Sequence, residues 1–502
     1  MPLLLQDFVK IGPNPDKRPQ QVERIMDQPL SGFGGNALQD SFHRMLDRSR
    51  AEAPATLEQR LDRLARLRSV LKDNEKRFEQ AISADFGHRC AIETMIAETL
   101  SLLGDIKHTS KHIKSWMAPR KVATQPQFWP GKNRLIPQPL GVVGIIAPWN
   151  YPLQLTLAPA IGALAAGNRV MIKPSELSPA FSALLQETIA AKFDPAEMIV
   201  TGIEDGVAEA FAKLPFDHLM FTGSTRVGRI VAEAAGRNLT PVTLELGGKS
   251  PTIVDRSADL DEVAPRIAYA KLMNAGQTCI APDYVLAPQD MVEALAAKIR
   301  DAMQRMFGSD PANKDYTSIV ADRHYARLKG LVDDAAARGA RLLQPAAADD
   351  AAWQGQRKFP PTVVLGATPD MKIMQEEIFG PLLPILGYED PAEPIAFINS
   401  RDRPLALYWF GKDEAARDEV LARTVSGGVT INDCLVHFAQ VNQPMGGVGA
   451  SGTGSYHGEW GFNTFTHLKP VFYRSPYNRF ADLYPPYGGK IARLAKLLRW
   501  IS

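Results

Sequence analysis

The sequence predicts an α/β protein: two doubly wound parallel-sheet domains, one Rossmann-like for a cofactor and one catalytic, joined by a small bridging or oligomerisation arm. Three observations predict it. Short apolar runs rich in β-branched residues alternate with helical stretches. The alternation occurs in two blocks, before and after about residue 245. At 502 residues the chain is too long for one core.

Residues 1–34 carry Pro, Gly and mixed charge with little periodicity and read as a loosely ordered extension. From Gly35 to about Met117 apolar residues recur at helical spacing, as in Leu61, Leu64, Leu67 and Val70-Leu71. A break at Ala118-Pro119 opens a hairpin or arm over 119–134, where Pro126, Pro130 and Gly131 lie. Strands follow at Gly141–Ile146, Val170–Pro174 and His218–Gly223, separated by helices at Ser182–Lys192 and Arg226–Ala235. A buried helix running into a strand accounts for Leu153–Ile172 better than a membrane span, because Gln154, Asn168 and Arg169 interrupt it. The second block has strands at Thr252–Val254, Tyr284–Leu286 and Gly428–Ile431, and an Ala/Asp-rich loop at Ala346–Ala352. The resulting division is a cofactor domain of 35–118 and 135–244, a catalytic domain of 245–440, and an arm of 119–134 with 455–480. Residues 484–502 read as a basic amphipathic helix with Ile491, Leu494, Leu498 and Ile501 on one side. Packing explains that helix better than peripheral membrane contact, since one short helix without a second anchor binds membrane marginally.

Composition excludes several classes. A net charge of +2 supplies no field to recruit nucleic acid. Three scattered cysteines, Cys90, Cys279 and Cys434, argue against a disulfide framework and for a reducing, cytoplasmic compartment. The N-terminus has only a short apolar run with no basic segment ahead of it and does not read as a secretory signal. No Cys/His cluster has zinc spacing, so no metal is expected; His108 and His112 read as solvated histidines on one helix face.

Chemistry concentrates at a few positions. Asn274-Ala275-Gly276-Gln277-Thr278-Cys279 presents one thiol among small residues, downstream of Leu244-Glu245-Leu246-Gly247-Gly248-Lys249. A thiolate can hold an acyl group and a carboxylate can activate water to release it, although an isolated Cys is more often a buried apolar side chain. Phe221-Thr222-Gly223-Ser224-Thr225-Arg226-Val227-Gly228 fits a strand, a glycine turn and a helix whose N–H groups face a phosphate, or a plain turn. Lys173-Pro174-Ser175-Glu176 ends another strand; Glu176 would accept from a ribose hydroxyl, favouring NAD over NADP, or cap a helix. The literal GxGxxG at Gly447–Gly452 has no strand before it and reads as a flexible loop.

With Pro148-Trp149-Asn150-Tyr151-Pro152 and Glu376-Glu377-Ile378-Phe379-Gly380-Pro381, these motifs resemble the NAD(P)-dependent aldehyde dehydrogenases over about residues 40–475. Gly454-Ser455-Tyr456-His457-Gly458, Ala281-Pro282-Asp283-Tyr284 and Asp315-Tyr316-Thr317-Ser318-Ile319 resemble the class 3 and coniferyl-aldehyde branch. The resemblance implies oxidation of an aldehyde, aromatic or medium- to long-chain aliphatic, to its acid. Cys279 would be the nucleophile, Asn150 an oxyanion donor and Glu245 the water-activating base. It further implies cofactor contacts: Trp149 near the adenosine phosphate, Lys173 and Glu176 at the adenine ribose, and Gly223, Ser224 and Gly228 by the pyrophosphate. Glu377 and Phe379 would meet the nicotinamide end, and Glu376 would be structural. NADP use stays open, with Glu176 swung aside. A homodimer is implied by the likeness and the arm. Two other enzymes share the nucleophile. A CoA-acylating dehydrogenase has no need of Glu245, and a cofactor-independent cysteine hydrolase or acyltransferase has no need of the cofactor motifs.

Overall fold

A computed structural model describes residues 35–344, 350–477, 484–485 and 499. The N-terminal extension and most of the basic C-terminal segment lie outside the described residues.

Helices Gly35–Ala51, Leu57–Phe86 and Ser101–Trp116 form the lead-in. The second starts where Thr56 and Gln59 cap each other: the Thr56 hydroxyl accepts from the Gln59 N–H at 3.3 Å, and the Gln59 amide oxygen accepts from the Thr56 N–H at 2.8 Å. Its Leu64, Leu67, Val70, Leu71 and Phe78 are buried, the stripe that the spacing predicts. Residues Met95–Leu100, ahead of the third helix, form a π-helical turn. His108 and His112 are not solvated as expected. Both are half-buried, and the His112 ring stacks on Trp116 at 5.9 Å and 18°.

Strands β1 (Arg120–Val122) and β2 (Lys132–Pro139) pair antiparallel, making the hairpin. The first parallel sheet takes β3 (Val142–Ile146), β4 (Arg169–Lys173), β5 (Met198–Val200), β6 (His218–Thr222) and β7 (Val242–Glu245), in the spatial order β7-β6-β3-β4-β5. Because β3 has β4 on one side and β6 on the other, the chain direction switches there, and the crevice beyond the strand ends is the natural ligand position. Both β3 and β6 are buried throughout, which is why they read as continuous apolar runs. The helix Gln154–Ala166 is buried on every side and stops at Gly167, whose φ of +94° favours glycine. The helix expected from Ser182 begins earlier, at Pro179: proline suits the first turn, and the distant Asp85 carboxylate accepts the N–H groups of Ala180 and Phe181 at 2.9 Å each.

The second sheet holds β8 (Pro251–Val254), β9 (Tyr284–Pro288), β10 (Arg341–Leu343), β11 (Thr362–Leu365), β12 (Leu382–Tyr388), β13 (Ala406–Phe410) and β14 (Gly428–Ile431). Its order is β10-β11-β12-β9-β8-β13-β14, parallel except for β10 against β11. The end of the Ala/Asp-rich segment is a short helix, Asp350–Gly355, instead of loop. The chain then returns: β15 (Gly452–Thr453) pairs antiparallel with β7 at the edge of the first sheet, and β16 (Thr466–Tyr473) closes the arm against β2. Among the described residues no helix is long and apolar enough to cross a membrane.

Candidate active site

The site lies where the carboxyl ends of the first sheet meet the amino ends of two strands of the second. Asn150 follows β3, Gly223 follows β6, and Glu245 ends β7. Cys279 precedes β9 and Glu377 precedes β12.

The turn before Cys279 is tightly specified. Asn274, Ala275 and Gly276 are consecutive left-handed residues with φ of +53°, +51° and +76°. Side-chain amides supply what the irregular backbone lacks: Gln277 donates to the carbonyls of Asn274 and Ser318, and its own carbonyl oxygen accepts from the Val320 N–H. Asn274 Nδ2 donates to the backbone oxygens of Asn150 and Gln277 at 3.0 and 3.1 Å, and the Asn150 amide donates to Gln277 O at 3.1 Å. Tyr151 and Thr278 hydroxyls meet at 2.7 Å. These bonds tie the Pro-Trp-Asn segment to the cysteine turn, so the structure brings Asn150 and Cys279 together.

A second layer, unreadable from spacing, holds that segment from behind. Arg89 and Glu98 form an ion pair at 3.2 Å with both side chains wholly buried. Arg89 donates to Asn150 O at 2.7 Å and lies over the rings of Phe86 and Tyr151. Glu98, in the π-helical turn, accepts from the N–H groups of Leu153 and Gln154. Glu93 accepts from the Asn274 N–H and the Thr317 hydroxyl.

Electrostatics at the thiol run opposite to simple activation. Burial pushes Cys279 up to about 12, and the carboxyls of Glu377 and Glu245 add to the rise; the N–H groups of Cys279 and Ile280 only partly offset it. Burial raises Glu245 to about 8, and neither of its oxygens has a hydrogen-bond partner among the described residues. Burial, with Asp283 adding, also raises Glu377 to about 8, and its Oε1 is unpartnered. Buried carboxylates without partners are costly, so each such oxygen points to a ligand or a proton transfer.

The Glu377 segment is clamped. Lys249 forms an ion pair with Asp283 and donates to the carbonyls of Ile373 and Glu376 at 2.8 and 2.9 Å, while Asp283 accepts from the Ile378 N–H. Arg327 donates to the carbonyls of Glu377 and Ile378 and stands 3.7 Å from the exposed Glu376. Phe379, at φ +47°, meets the Trp149 ring at 5.5 Å and 74°, so these two share one aromatic cluster with His324.

The crevice fits a dinucleotide. Ser224 caps the helix Thr225–Arg237 by accepting from the Val227 N–H, which leaves other first-turn N–H groups facing the Gly223 turn. Gly228 is needed for packing: a Cβ there would lie 2.5 Å from Leu246, the residue after Glu245. Lys173 and Glu176 form an ion pair at the end of β4, and Ser178, not Ser175, precedes the next helix. The Gly447–Gly452 segment is no free loop. Leu246 N–H donates to Ser451 O at 3.0 Å and Thr225 Oγ1 to Ala450 O at 3.1 Å, which docks it beside Glu245. Among the described residues no cluster of three or more His, Cys, Asp or Glu could hold a metal ion.

A Rossmann-like crevice joined to a half-buried thiol, with the carboxyls of Glu245 and Glu377 in its field, defines the class: an oxidoreductase. The Aldehyde dehydrogenase family matches residues 37–471, and the chain belongs to that family. It is thus an NAD(P)-dependent aldehyde dehydrogenase. Its relatives include the "Probable coniferyl aldehyde dehydrogenase" of Caulobacter vibrioides, 48% identical over 88% of this chain and 92% of the relative. The "Coniferyl aldehyde dehydrogenase" of Pseudomonas sp. strain HR199 is 43% identical over 93% and 97%. Among solved structures, the substrate-bound state of Staphylococcus aureus AldH superposes with a TM-score of 0.86 at 38% identity, covering 92% of this chain and 99% of that one.

Proposed function

We propose that Cys279 attacks the carbonyl carbon of an aromatic aldehyde of the coniferyl type, that Asn150 stabilises the resulting oxyanion, and that Glu245 activates the water that releases the acid. One observation carries this reading: Cys279 lies on a turn bonded to Asn150 and within electrostatic range of the unpartnered Glu245. The neutral thiol gives up its proton on attack, and Glu245 and the free Oε1 of Glu377 are the acceptors within reach of its field. Asn150 Nδ2 and the Cys279 N–H would donate to the oxyanion; one such donor contributes about 3 kcal/mol in the transition state. When bound, NAD or NADP supplies the acceptor for the aldehyde's hydride. The oxidised adduct is a thioester on Cys279, and Glu245, ionised near its raised pKa, deprotonates the attacking water.

Glu377 and Phe379 would hold the nicotinamide end of the cofactor, and Trp149, packed edge-on to Phe379, would lie with them and not at the adenosine phosphate that the resemblance implied; Gly223 and Ser224 would hold the pyrophosphate, and Lys173 with Glu176 the adenine ribose. The free Oε1 of Glu377 and the helix that starts at Ser224, just after Gly223, support this assignment. The relatives named for coniferyl aldehyde support the aromatic substrate. A homodimer is supported by exposed Trp129, Phe472 and Tyr473 on the arm, and the cytoplasm by three free thiols. A panel of aldehydes of graded length and aromaticity, run with NAD and NADP and followed by cofactor absorbance, tests the reading. Coniferyl-type aldehydes should give the highest kcat/KM; a preference for long aliphatic aldehydes would overturn the substrate class.

A further inference from the structure

His457 has a buried nitrogen that the chemistry above leaves unused. The residue is 7% exposed, and its Nε2 is buried without a hydrogen-bond partner among the described residues. Its ring stands edge-on to Tyr456 at 4.5 Å and to Phe438 at 4.9 Å, both at 75°. Burial lowers its pKa to about 4, so the imidazole is neutral, with one nitrogen a donor and the other an acceptor. A phenylalanine would fill such an aromatic cluster without stranding a polar atom. The backbone is also unusual: His457 has φ +85°, and the next residue, Gly458, has φ +48° with no room for a Cβ, which would lie 2.3 Å from Val441 O. Strain of this kind persists where the surroundings hold a side chain in one place.

That place adjoins the reaction centre. Gly452 is paired with Glu245 and Thr453 with Leu244, and Tyr456 follows three residues later. Tyr456 is fully buried and within electrostatic range of both Glu245 and Cys279. Phe438 is only half-buried, so the protein does not enclose this cluster completely. We propose that His457, walled by Phe438 and Tyr456, is a specificity determinant of the aldehyde pocket, its Nε2 hydrogen-bonding a hydroxyl or alkoxy oxygen on the ring of an aromatic aldehyde. The proposal rests on the aromatic-aldehyde reading above. An aldehyde lacking that oxygen would leave the nitrogen unpaired, which is how a site built around one hydrogen bond discriminates.

The test compares 4-hydroxy-3-methoxycinnamaldehyde with unsubstituted cinnamaldehyde and with hexanal, in the full-length protein, His457→Phe and His457→Gln. The readout is the ratio of kcat/KM for the oxygenated ring to that for the bare ring. His457→Phe should lower this ratio about tenfold, and His457→Gln, which restores a donor and acceptor near the same point, should recover much of it. A ratio unchanged in both variants overturns the proposal while leaving the substrate class intact. Equal loss on all three aldehydes in a folded variant also overturns it, by making His457 a packing residue. Turnover of hexanal with none of either aromatic aldehyde in the wild type overturns the aromatic reading and the proposal together. Should His457→Phe not fold, His457→Leu takes its place with the same expected loss and the same overturning results, and Phe438→Leu must also lower activity on both aromatic substrates more than on hexanal.

Discussion

Replacing Glu245 by Gln keeps the shape of a buried side chain and removes its ionisation. Burial holds the carboxyl at about 8, against an ordinary value of 4.5. At pH 7 about one molecule in ten then has the ionised base, and at pH 8 about half do. Release of the acid should therefore accelerate about fivefold from pH 7 to pH 8 and about twofold more by pH 9. General-base catalysis contributes typically 10²–10⁴-fold, so Glu245→Gln should slow deacylation by about that factor and make it independent of pH. Rapid-mixing measurements of reduced cofactor should show a near-normal first turnover followed by a stalled steady state. The same substitution carries a stability signature. A raised folded-state pKa stabilises the protein fully below pH 4.5, and that contribution is lost as pH rises through about 8, by about 5 kcal/mol at full ionisation. Denaturant unfolding of the variant should thus gain on the wild type as pH climbs from 5 to 9. Equal loss of the first turnover and the steady state, with parallel stability profiles, would refute the reasoning and make Glu245 an activator of the thiol or a packing group.

Other consequences follow from the same geometry. Asn150→Ala removes one oxyanion donor and should lower kcat/KM about a hundredfold, measured by cofactor reduction, with the fold retained by circular dichroism. Arg89→Met leaves Glu98 charged and buried with no cation, so unfolding free energy should fall by about 3–5 kcal/mol; pairing it with Glu98→Gln should recover part of the loss. Gly276→Ala would put a Cβ 2.3 Å from Gly380 O in a residue at φ +76°. It should cost about 1–3 kcal/mol of stability and, by shifting the Phe379-Gly380 segment, raise the KM for the cofactor.

The parts of this molecule that were legible in its sequence are those whose signal is local. Strands β3, β4, β6, β8, β9 and β14 are short apolar runs between turn residues, and all six emerge within a residue or two of their observed limits. β5, β7, β10, β11, β12 and β13 went unassigned; β12 holds Pro384, which argues against a central strand, whereas β13 carries the usual punctuation, Pro404 before it and Gly411 after it, and was simply missed. The cysteine turn and the Glu377 segment were visible as motifs because irregular backbone demands particular residues. Their supports were not visible. Arg89, Glu98 and Asp85 act across more than 50 positions of chain, and Lys249 reaches Asp283 and Ile373 only because β8 and β9 are adjacent and β12 lies beside them. The Gly447–Gly452 segment misled for the same reason: its order comes from Leu246 and Thr225, which lie some 200 residues away. His108 and His112 misled although Trp116, four residues beyond His112 on the same helix, was placed by helical spacing to cover them.

The central claim is that Cys279 carries the acyl group and Glu245 releases it. Mass spectrometry of Glu245→Gln protein, mixed with a cinnamaldehyde and NAD and quenched in acid after the first turnover, tests it most directly. One acyl group per chain is expected, on the peptide containing Cys279, and none in Cys279→Ala. A burst of reduced cofactor with no acylated peptide, or with the acyl group on Cys90 or Cys434, would contradict it.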